Sequence, residues 1–288
     1  MPRRTLRLRV GGLVLAVEAE RPTPLLDSPP ELDPFLARRG GDIRLRLVEE
    51  PAPTPRGEPV FDSGGAWRVF RHRGGLLYEF HVPRLRPPVY KAVAIDRQLR
   101  EGRLYFPGVT GGPDYALDYP LDELLFQHRL ARDGALEVHA CGLVWRDRTY
   151  VLCGQSGAGK STTAGLWRRH TRSTSILSDD RIVLRPTGRG VRAWGTPWHG
   201  DGGFASPDSR PVAALFFLKH GRVSRTRSIP RAEAAARLLA RSFPPPWDPT
   251  AMARALETCA AVTASVPAFE LSFRPDRTAI DAIRDAAS

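Results

Sequence analysis

The chain has 288 residues, of which 42% are hydrophobic and 26% are charged, and its formal net charge is +12. This composition is typical of a globular protein with room for one large domain or two smaller ones. No apolar run approaches the ~20 residues that a transmembrane helix needs, so the sequence predicts no membrane partner.

The positive charge does not by itself indicate a nucleic-acid partner. Of the 43 basic residues, Lys91, Lys160 and Lys219 are the lysines, which leaves 40 arginines. These arginines are scattered along the chain, whereas nucleic-acid binding is expected to cluster basic residues on one face or in one block. The bias toward arginine therefore indicates genome composition, and we expect no nucleic-acid partner.

The three cysteines are sparse and lie in apolar contexts, at Cys141, Cys153 and Cys259. A small odd set predicts neither a disulfide framework nor a zinc site. We expect buried thiols and a cytoplasmic protein.

The first 120 residues carry strand patterns and no catalytic motif. Leu6, Leu8 and Val10 alternate with arginines before a pair of glycines, which favours a β-hairpin over a signal peptide. Period-two runs bounded by glycine and proline predict strands at 5–10, 13–18, 42–48, 67–72, 76–81 and 89–95. We expect a β-rich N-terminal module of unknown role at residues 1–120.

From residue 121 the pattern changes to helices alternating with strands. Helices are predicted at 121–132, 160–170, 231–242, 249–264 and 277–287. Strands are predicted at 136–145, 150–153, 175–177, 182–184, 191–194, 212–218 and 269–273. This alternation indicates an α/β domain at residues 121–288.

A phosphate-binding motif lies between a predicted strand and a predicted helix. The segment from Gly154 to Ser161 fits G-x-x-x-x-G-K-[ST] without a gap. In such a P-loop the backbone N–H groups cradle phosphate oxygens, the lysine contacts the β- and γ-phosphates, and the serine hydroxyl binds Mg²⁺. The motif predicts ATP and Mg²⁺ as cofactors, with Lys160 in a catalytic role and Ser161 as a metal ligand. The expected nucleotide-binding residues are Gly154, Gln155, Ser156, Gly157, Ala158, Gly159, Lys160, Ser161 and Thr162.

Two adjacent carboxylates follow the next apolar strand. Asp179 and Asp180 stand 19 and 20 residues after Lys160. One carboxylate near a P-loop can hold Mg²⁺, and a second can accept a proton from an attacking hydroxyl. Together they suit phosphoryl transfer better than a simple switch. His139, on the strand before the P-loop strand, is by itself more typical of a core or surface histidine.

These residues resemble the catalytic domain of HPr kinase/phosphorylase and, more broadly, related P-loop kinases and ATP-dependent phosphoenolpyruvate carboxykinase. The resemblance rests on Val138-His139-Ala140, the P-loop, Leu177-Ser178-Asp179-Asp180 and the tail 266–273, and it covers roughly residues 122–287. It implies an HPr kinase-like fold and an ATP-dependent phosphotransferase acting on a serine or other hydroxyl of a protein, peptide or small molecule. It further implies that Asp179 is the base, Asp180 is the metal carboxylate and His139 lines the site.

The chain departs from that family in two places. Thr162 stands where HPr kinases usually carry an acidic residue, and no match follows to the Gly-rich signature that serves the phosphorylase reaction. We therefore expect a specialised relative rather than an enzyme acting on HPr. The loop 196–203, with three glycines and His199, either covers the acceptor pocket or forms a surface turn.

Two other functions remain open from the sequence. One is a nucleotide-dependent regulatory or binding module with little transfer activity, and the other is a carboxykinase-type enzyme acting on a small carboxylic acid. The phosphoryl acceptor is not identified by the sequence, and homo-oligomerisation is left open.

Overall fold

The computed structural model describes residues 3–85, 88–107, 115–155, 157–171 and 174–287. The chain divides into two compact units, the first comprising Met1–Arg9 and Leu13–Phe126 and the second Val10–Gly12 and Gln127–Ser288. The division between Phe126 and Gln127 lies inside a helix, six residues beyond the boundary that the sequence pattern suggested. No helix in the described part of the chain is long and apolar enough to cross a membrane.

The first unit is built on one eight-stranded sheet, with strands β1 (Arg3–Val10), β2 (Leu13–Thr23), β3 (Ile43–Val48), β4 (Phe61–Asp62), β5 (Trp67–His72), β6 (Gly75–His81), β7 (Val89–Ile95) and β8 (Glu101–Tyr105). Their order in the sheet is β1-β2-β3-β8-β7-β6-β5-β4. Its strands alternate buried apolar and exposed charged residues, as in β3, where Ile43, Leu45 and Leu47 are buried while Arg44 and Arg46 are exposed.

The N-terminal hairpin and the other strands predicted in this unit are present. Gly11 and Gly12, with φ of 59° and 86°, make the turn between β1 and β2, a conformation that glycine adopts readily. The sequence pattern missed β4, which is two residues long, and β8, in which Leu104 is the one buried residue.

The second unit combines a mixed sheet with helices. Its helices are α1 (Leu121–Arg132), which begins in the first unit, α2 (Lys160–His170), α3 (Arg231–Leu239), α4 (Pro249–Ser265) and α5 (Arg277–Ala286). Its strands are β9 (Leu136–Trp145), β10 (Arg148–Cys153), β11 (Thr174–Ile176), β12 (Arg181–Thr187), β13 (Gly190–Gly195), β14 (Ser209–His220), β15 (Arg225–Ser228) and β16 (Ala268–Phe273). The mixed α/β architecture expected from the sequence is confirmed.

Helix α3 is shorter than the predicted 231–242, and the cause lies in a neighbouring strand. The backbone N–H of His139 on β9 donates to the carbonyl of Arg241 at 2.7 Å, and the N–H of Phe243 donates to the carbonyl of Glu137 at 3.2 Å. These bonds hold the segment after Leu239 along the edge of β9, and the helix therefore ends at Leu239. The sequence also missed β15, because Arg225–Ser228 contains no buried residue.

Three strands of this sheet run parallel, and they place the P-loop motif. Strand β10 pairs in parallel with β14, and β14 pairs in parallel with β16. Their carboxyl ends therefore meet at one edge of the sheet, which is where ligands bind in open α/β sheets. Strand β9 pairs with β12 along its first half and with β10 and β11 along its second half.

Helices cover both faces of the sheet with apolar side chains. On one face Trp167 of α2 and Ile280 of α5 pack in a cluster with Phe216. On the other face Leu238 of α3 and Cys259 of α4 pack in a second cluster. The three cysteines are free and buried, and burial raises the pKa of the Cys153 thiol to about 12.

A buried polar cluster joins α1 to the start of α4. Nε2 of His128 lies 2.6 Å from Oδ2 of Asp248, and Nε of Arg132 donates to the same oxygen at 2.5 Å. The other oxygen of Asp248 caps α4 by accepting from the N–H groups of Thr250 and Ala251. Burial alone would raise the pKa of Asp248, but the hydrogen bonds from His128 and Arg132 outweigh it and hold the pKa well below its usual range.

We expect Asp248→Ala to lower the free energy of unfolding by about 3–5 kcal/mol, because it leaves a buried histidine and an arginine without their shared partner. Asp276→Ala is the matched control, since Asp276 caps α5 through Thr278 but joins no buried cluster. Loss of a cap alone costs about 1 kcal/mol. Urea unfolding at pH 7 measures both changes, and equal losses would show that the cluster adds nothing beyond the cap.

The same cluster predicts how stability depends on pH. A carboxyl whose folded-state pKa is depressed contributes stability above its unfolded pKa of about 3.9, and this contribution is lost as the pH falls further. Burial lowers the pKa of His128, so protonation of the unfolded state also erodes stability below about pH 6.5.

Candidate functional site

The phosphate-loop segment follows β10, which ends at Cys153, and leads into α2, which begins at Lys160. Gly157 and Gly159 have φ of 76° and 95°, values that residues with a side chain rarely adopt. A β-carbon at Gly159 would lie 2.3 Å from Cζ of Phe273, and one at Gly154 would lie 2.7 Å from the β-carbon of Ala158. The fold therefore requires glycine at these positions. The predicted nucleotide-binding residue Ser156 lies outside the described residues.

The side chain of Lys160 is held inside this segment. The residue is 5% exposed, and Nζ donates to the carbonyls of Gly154 at 3.0 Å and Gln155 at 3.3 Å. Burial lowers the pKa of Lys160, and the nearby charge of Asp180 opposes this effect. The ammonium group is thus held by the curled backbone at the start of α2.

The pairing of β9 with β12 brings His139 and Asp180 to this lysine. Arg181 is the register partner of His139, and the N–H of Ala140 donates to the carbonyl of Asp180 at 3.0 Å. Nε2 of His139 lies 2.7 Å from Oδ1 of Asp180 and 2.7 Å from Nζ of Lys160. A ring nitrogen carries either a proton or a lone pair, so His139 donates to Asp180 or accepts from Lys160. The three groups can therefore share protons.

Asp179 faces a different set of groups. It is fully buried, and its Oδ2 accepts from the hydroxyl of Ser161 at 3.3 Å and from the N–H of Gly202 at 2.8 Å. Its Oδ1 accepts from the N–H of Gly200 at 3.0 Å. Asp179 thus connects the start of α2 with the loop 196–203.

The loop 196–203 is shaped by this contact. A β-carbon at Gly202 would lie 2.6 Å from Oδ2 of Asp179, and one at Gly200 would lie 3.1 Å from the same atom. Glycine therefore permits the close approach of the loop backbone to the carboxylate. The exposed His199, for which the sequence suggested acceptor contact, has Nδ1 2.9 Å from the carbonyl of Gly200.

Arg181 is a site residue that the sequence analysis did not identify. Its guanidinium donates to Asp180, approaches Glu137 with an Nε–Oε1 distance of 3.3 Å, and lies 4.3 Å above the ring of Phe243. Burial would raise the pKa of Asp180, but the hydrogen bond from His139 and the charges of Arg181 and Lys160 hold it below its usual value. Arginine is so frequent in this chain, with 40 residues, that one more does not stand out. The position of Arg181 directly after the paired aspartates is the feature that could have identified it.

The structure therefore brings together Lys160, Ser161, His139, Asp179 and Asp180 at the carboxyl end of β10. Ser161 and Thr162 are exposed on the first turn of α2, where the positive end of the helix dipole favours an anion. The hydroxyl of Ser161 and the carboxylate of Asp179 are oxygen donors of the kind that Mg²⁺ prefers. These residues fit an ATP-Mg²⁺ complex chemically.

Comparisons with known proteins add little to this geometry. No family model and no curated protein matches the sequence. Among solved structures, the HPr(Ser) kinase/phosphatase from Coxiella burnetii is similar over 52% of this chain and 89% of that chain, at 15% sequence identity and a TM-score of 0.30. The described residues form a mixed α/β protein with two large sheets.

Proposed function

We propose that the chain is an HPr kinase-like phosphotransferase that uses ATP and Mg²⁺ to phosphorylate a hydroxyl group of a protein, peptide or small molecule. The observation that carries this proposal is the convergence of Lys160 and Ser161 with two carboxylates at the end of one strand. The nearest pairs are Ser161 with Asp179 at 3.3 Å and Lys160 with Asp180 at 3.7 Å. A regulatory nucleotide site needs no second carboxylate paired with a histidine, whereas transfer to a hydroxyl needs a proton acceptor.

Nucleotide binding would use the segment from Gly154 to Thr162. Its N–H groups and the start of α2 offer partners for phosphate oxygens, and Lys160 supplies a positive charge at the same place. Mg²⁺, when bound, would neutralise charge on the phosphates. Ser161 and Asp179 are the residues that we propose to hold it, because their oxygens already lie together.

Proton transfer would use the Asp180–His139 pair. The side chain of Asp180 is 27% exposed, whereas Asp179 is fully buried and accepts three hydrogen bonds, so Asp180 is the carboxylate that an acceptor hydroxyl can reach. The family resemblance assigns the opposite roles, with Asp179 as base and Asp180 as metal ligand. The hydrogen bond between Ser161 and Asp179 favours the assignment proposed here, and the two assignments make different predictions.

The remaining parts of the proposal concern partners and place. We propose a cytoplasmic protein, because its cysteines are buried thiols. We propose that it binds no nucleic acid, because its arginines form no block, and no membrane, because no helix in the described part of the chain is long and apolar enough to cross one. The acceptor is the partner to be identified.

Purified protein incubated with γ-³²P-labelled ATP, Mg²⁺ and cell extract should label an acceptor fraction. Asp180→Asn should reduce this labelling by about 10²–10⁴-fold, the contribution of a general base, while Mg-ATP binding persists. Asp201→Asn, an exposed carboxylate in the loop 196–203, is the matched control and should label normally. Binding of Mg-ATP by the wild-type protein without transfer to any fraction would favour a nucleotide-dependent regulatory module. Transfer only to small carboxylic acids would favour a carboxykinase.

A further inference from the structure

A charged cavity of about 370 Å³ lies at the carboxyl ends of β14 and β16. Its lining contains three cationic side chains, two hydroxyl groups and one carboxylate, contributed by Lys219, Arg225, Thr226, Arg227, Glu270 and Ser272. The lining therefore has an excess of positive charge, and its hydroxyl groups can also donate hydrogen bonds. Such a lining is suited to an anionic ligand.

Sheet register places the basic residues of this cavity side by side. Lys219 on β14 is paired with Ser272 on β16, and Ser272 is paired with Arg225 on β15. Directly opposed residues on neighbouring strands project from the same face of a sheet. Lys219 and Arg225 are exposed, so their charged groups are accessible to a ligand from solvent.

The carboxylate in the lining is already engaged by other arginines. Glu270 accepts a hydrogen bond from Arg237 of α3 at 3.0 Å and lies 3.8 Å from Arg227. The hydrogen bond from Arg237 keeps the pKa of Glu270 below its usual value, and the charges of Arg227 and Lys219 act in the same direction. Within the described part of the chain, neither Lys219 nor Arg225 forms an ion pair.

The cavity lies at the edge of the sheet where the phosphate-loop segment begins. Strands β10 and β14 are in register at Cys153 and Phe217, one residue before Gly154 and two residues before Lys219. The residue after Lys219, His220, projects from the opposite face of β14, and its Nε2 lies 3.0 Å from the carbonyl of Gly157. The cationic lining thus stands at the same edge of the sheet as Lys160.

We propose that this cavity binds an anionic group, a phosphate or carboxylate, of the phosphoryl acceptor. The inference rests on the proposed function. The phosphates of a nucleotide would be matched by the loop N–H groups, Lys160 and the metal, and the base and ribose carry no charge. The additional cations therefore serve an anion from another molecule, and the acceptor class is an anionic hydroxyl compound or a peptide with an acidic side chain.

Lys219 adds a different kind of charge to the arginines of the cavity. Lys219 is one of three lysines among 43 basic residues. Arginine and lysine bind anions differently, the lysine as a compact point charge and the arginine as a planar fork. Lys219 therefore presents a compact point charge beside the forked charges of Arg225 and Arg227.

The test compares the triple variant Lys219→Met/Arg225→Gln/Arg227→Gln with a control that removes the same charge elsewhere in the unit. The control, Arg169→Gln/Arg189→Gln/Arg231→Gln, alters three exposed arginines. Binding of inorganic phosphate is followed by ³¹P line broadening at constant ionic strength, in a Lys160→Ala background that weakens the phosphate loop. Mg-ATP affinity is measured by calorimetry with Lys160 intact, and thermal unfolding checks that each variant is folded.

We expect the triple variant to weaken phosphate binding by about 10–100-fold, the usual effect of losing hydrogen bonds to charged groups. Its Mg-ATP affinity and both affinities of the control should change by less than about twofold. Phosphate binding that survives in the triple variant, or that falls equally in the control, overturns the inference. A parallel loss of Mg-ATP affinity also overturns it, because the cavity would then serve the nucleotide. Failure of the wild-type protein to bind Mg-ATP would instead defeat the proposed function itself.

Discussion

Lys160→Ala should lose turnover by roughly 10²–10³-fold, the effect of removing one preorganised charge-stabilising donor, and should bind Mg-ATP far more weakly. The ammonium group is 5% exposed and held by two loop carbonyls. It is therefore fixed beside the N-terminus of α2, where a phosphate would lie. Truncation removes the cation that faces the β- and γ-phosphates and leaves the neighbouring backbone in place.

Two further variants make this result specific. Lys160→Arg should not restore activity, because Nζ lies within 3.3 Å of two carbonyls and 2.7 Å from His139, which leaves no room for a planar guanidinium group. Arg169→Ala, which removes an exposed cation from the same helix, should behave like the wild type. Calorimetry with Mg-ATP and steady-state rates measure all three. A folded Lys160→Ala protein with unchanged affinity would contradict the P-loop assignment.

The parts of the fold that the sequence predicted are those with regular burial. Alternating leucines and arginines identified β3, and the helices at 121–132 and 160–170 have the predicted bounds. Strand β15 lacked any such signal, because its hydrogen bonds to β16 stabilise four residues that bury no side chain. The end of α3 could not be predicted from the sequence either. It depends on backbone hydrogen bonds with β9, which lies about 100 residues earlier in the chain.

The residues of the candidate site also differ in whether the sequence alone could predict them. The sequence predicts the glycines and Lys160 as site candidates because their motif is contiguous. It predicts the paired aspartates because they follow an apolar strand. The contact of Asp179 with Gly200 and Gly202 could not be predicted, because it depends on where a loop returns in space. The link from His139 to Asp180 likewise depends on the register of β9 with β12, which the sequence does not specify.

Substitutions of Asp179 and Asp180 should have different effects on the Mg²⁺ concentration that ATP binding requires. We expect Asp179→Asn to raise the Mg²⁺ concentration needed for ATP binding, because Asp179 hydrogen-bonds to Ser161 and is the buried carboxylate beside it. Asp180→Asn should leave that requirement nearly unchanged and should lower turnover by about 10²–10⁴-fold, since its partner is His139. ATP affinity and rate across a Mg²⁺ titration measure both effects.

A double-mutant cycle with Ser161 tests the metal assignment directly. If Ser161 and Asp179 act on the same ion, Ser161→Ala should raise the Mg²⁺ requirement as Asp179→Asn does. The double variant should then be little worse than either single variant, because residues that share one partner are not additive. Additive effects would separate the two residues, and identical Mg²⁺ dependence in the Asp179 and Asp180 variants would remove the basis for distinct roles. A raised requirement in Asp180→Asn alone would restore the roles that the family resemblance implies, with Asp179 as the base and the kinase proposal intact.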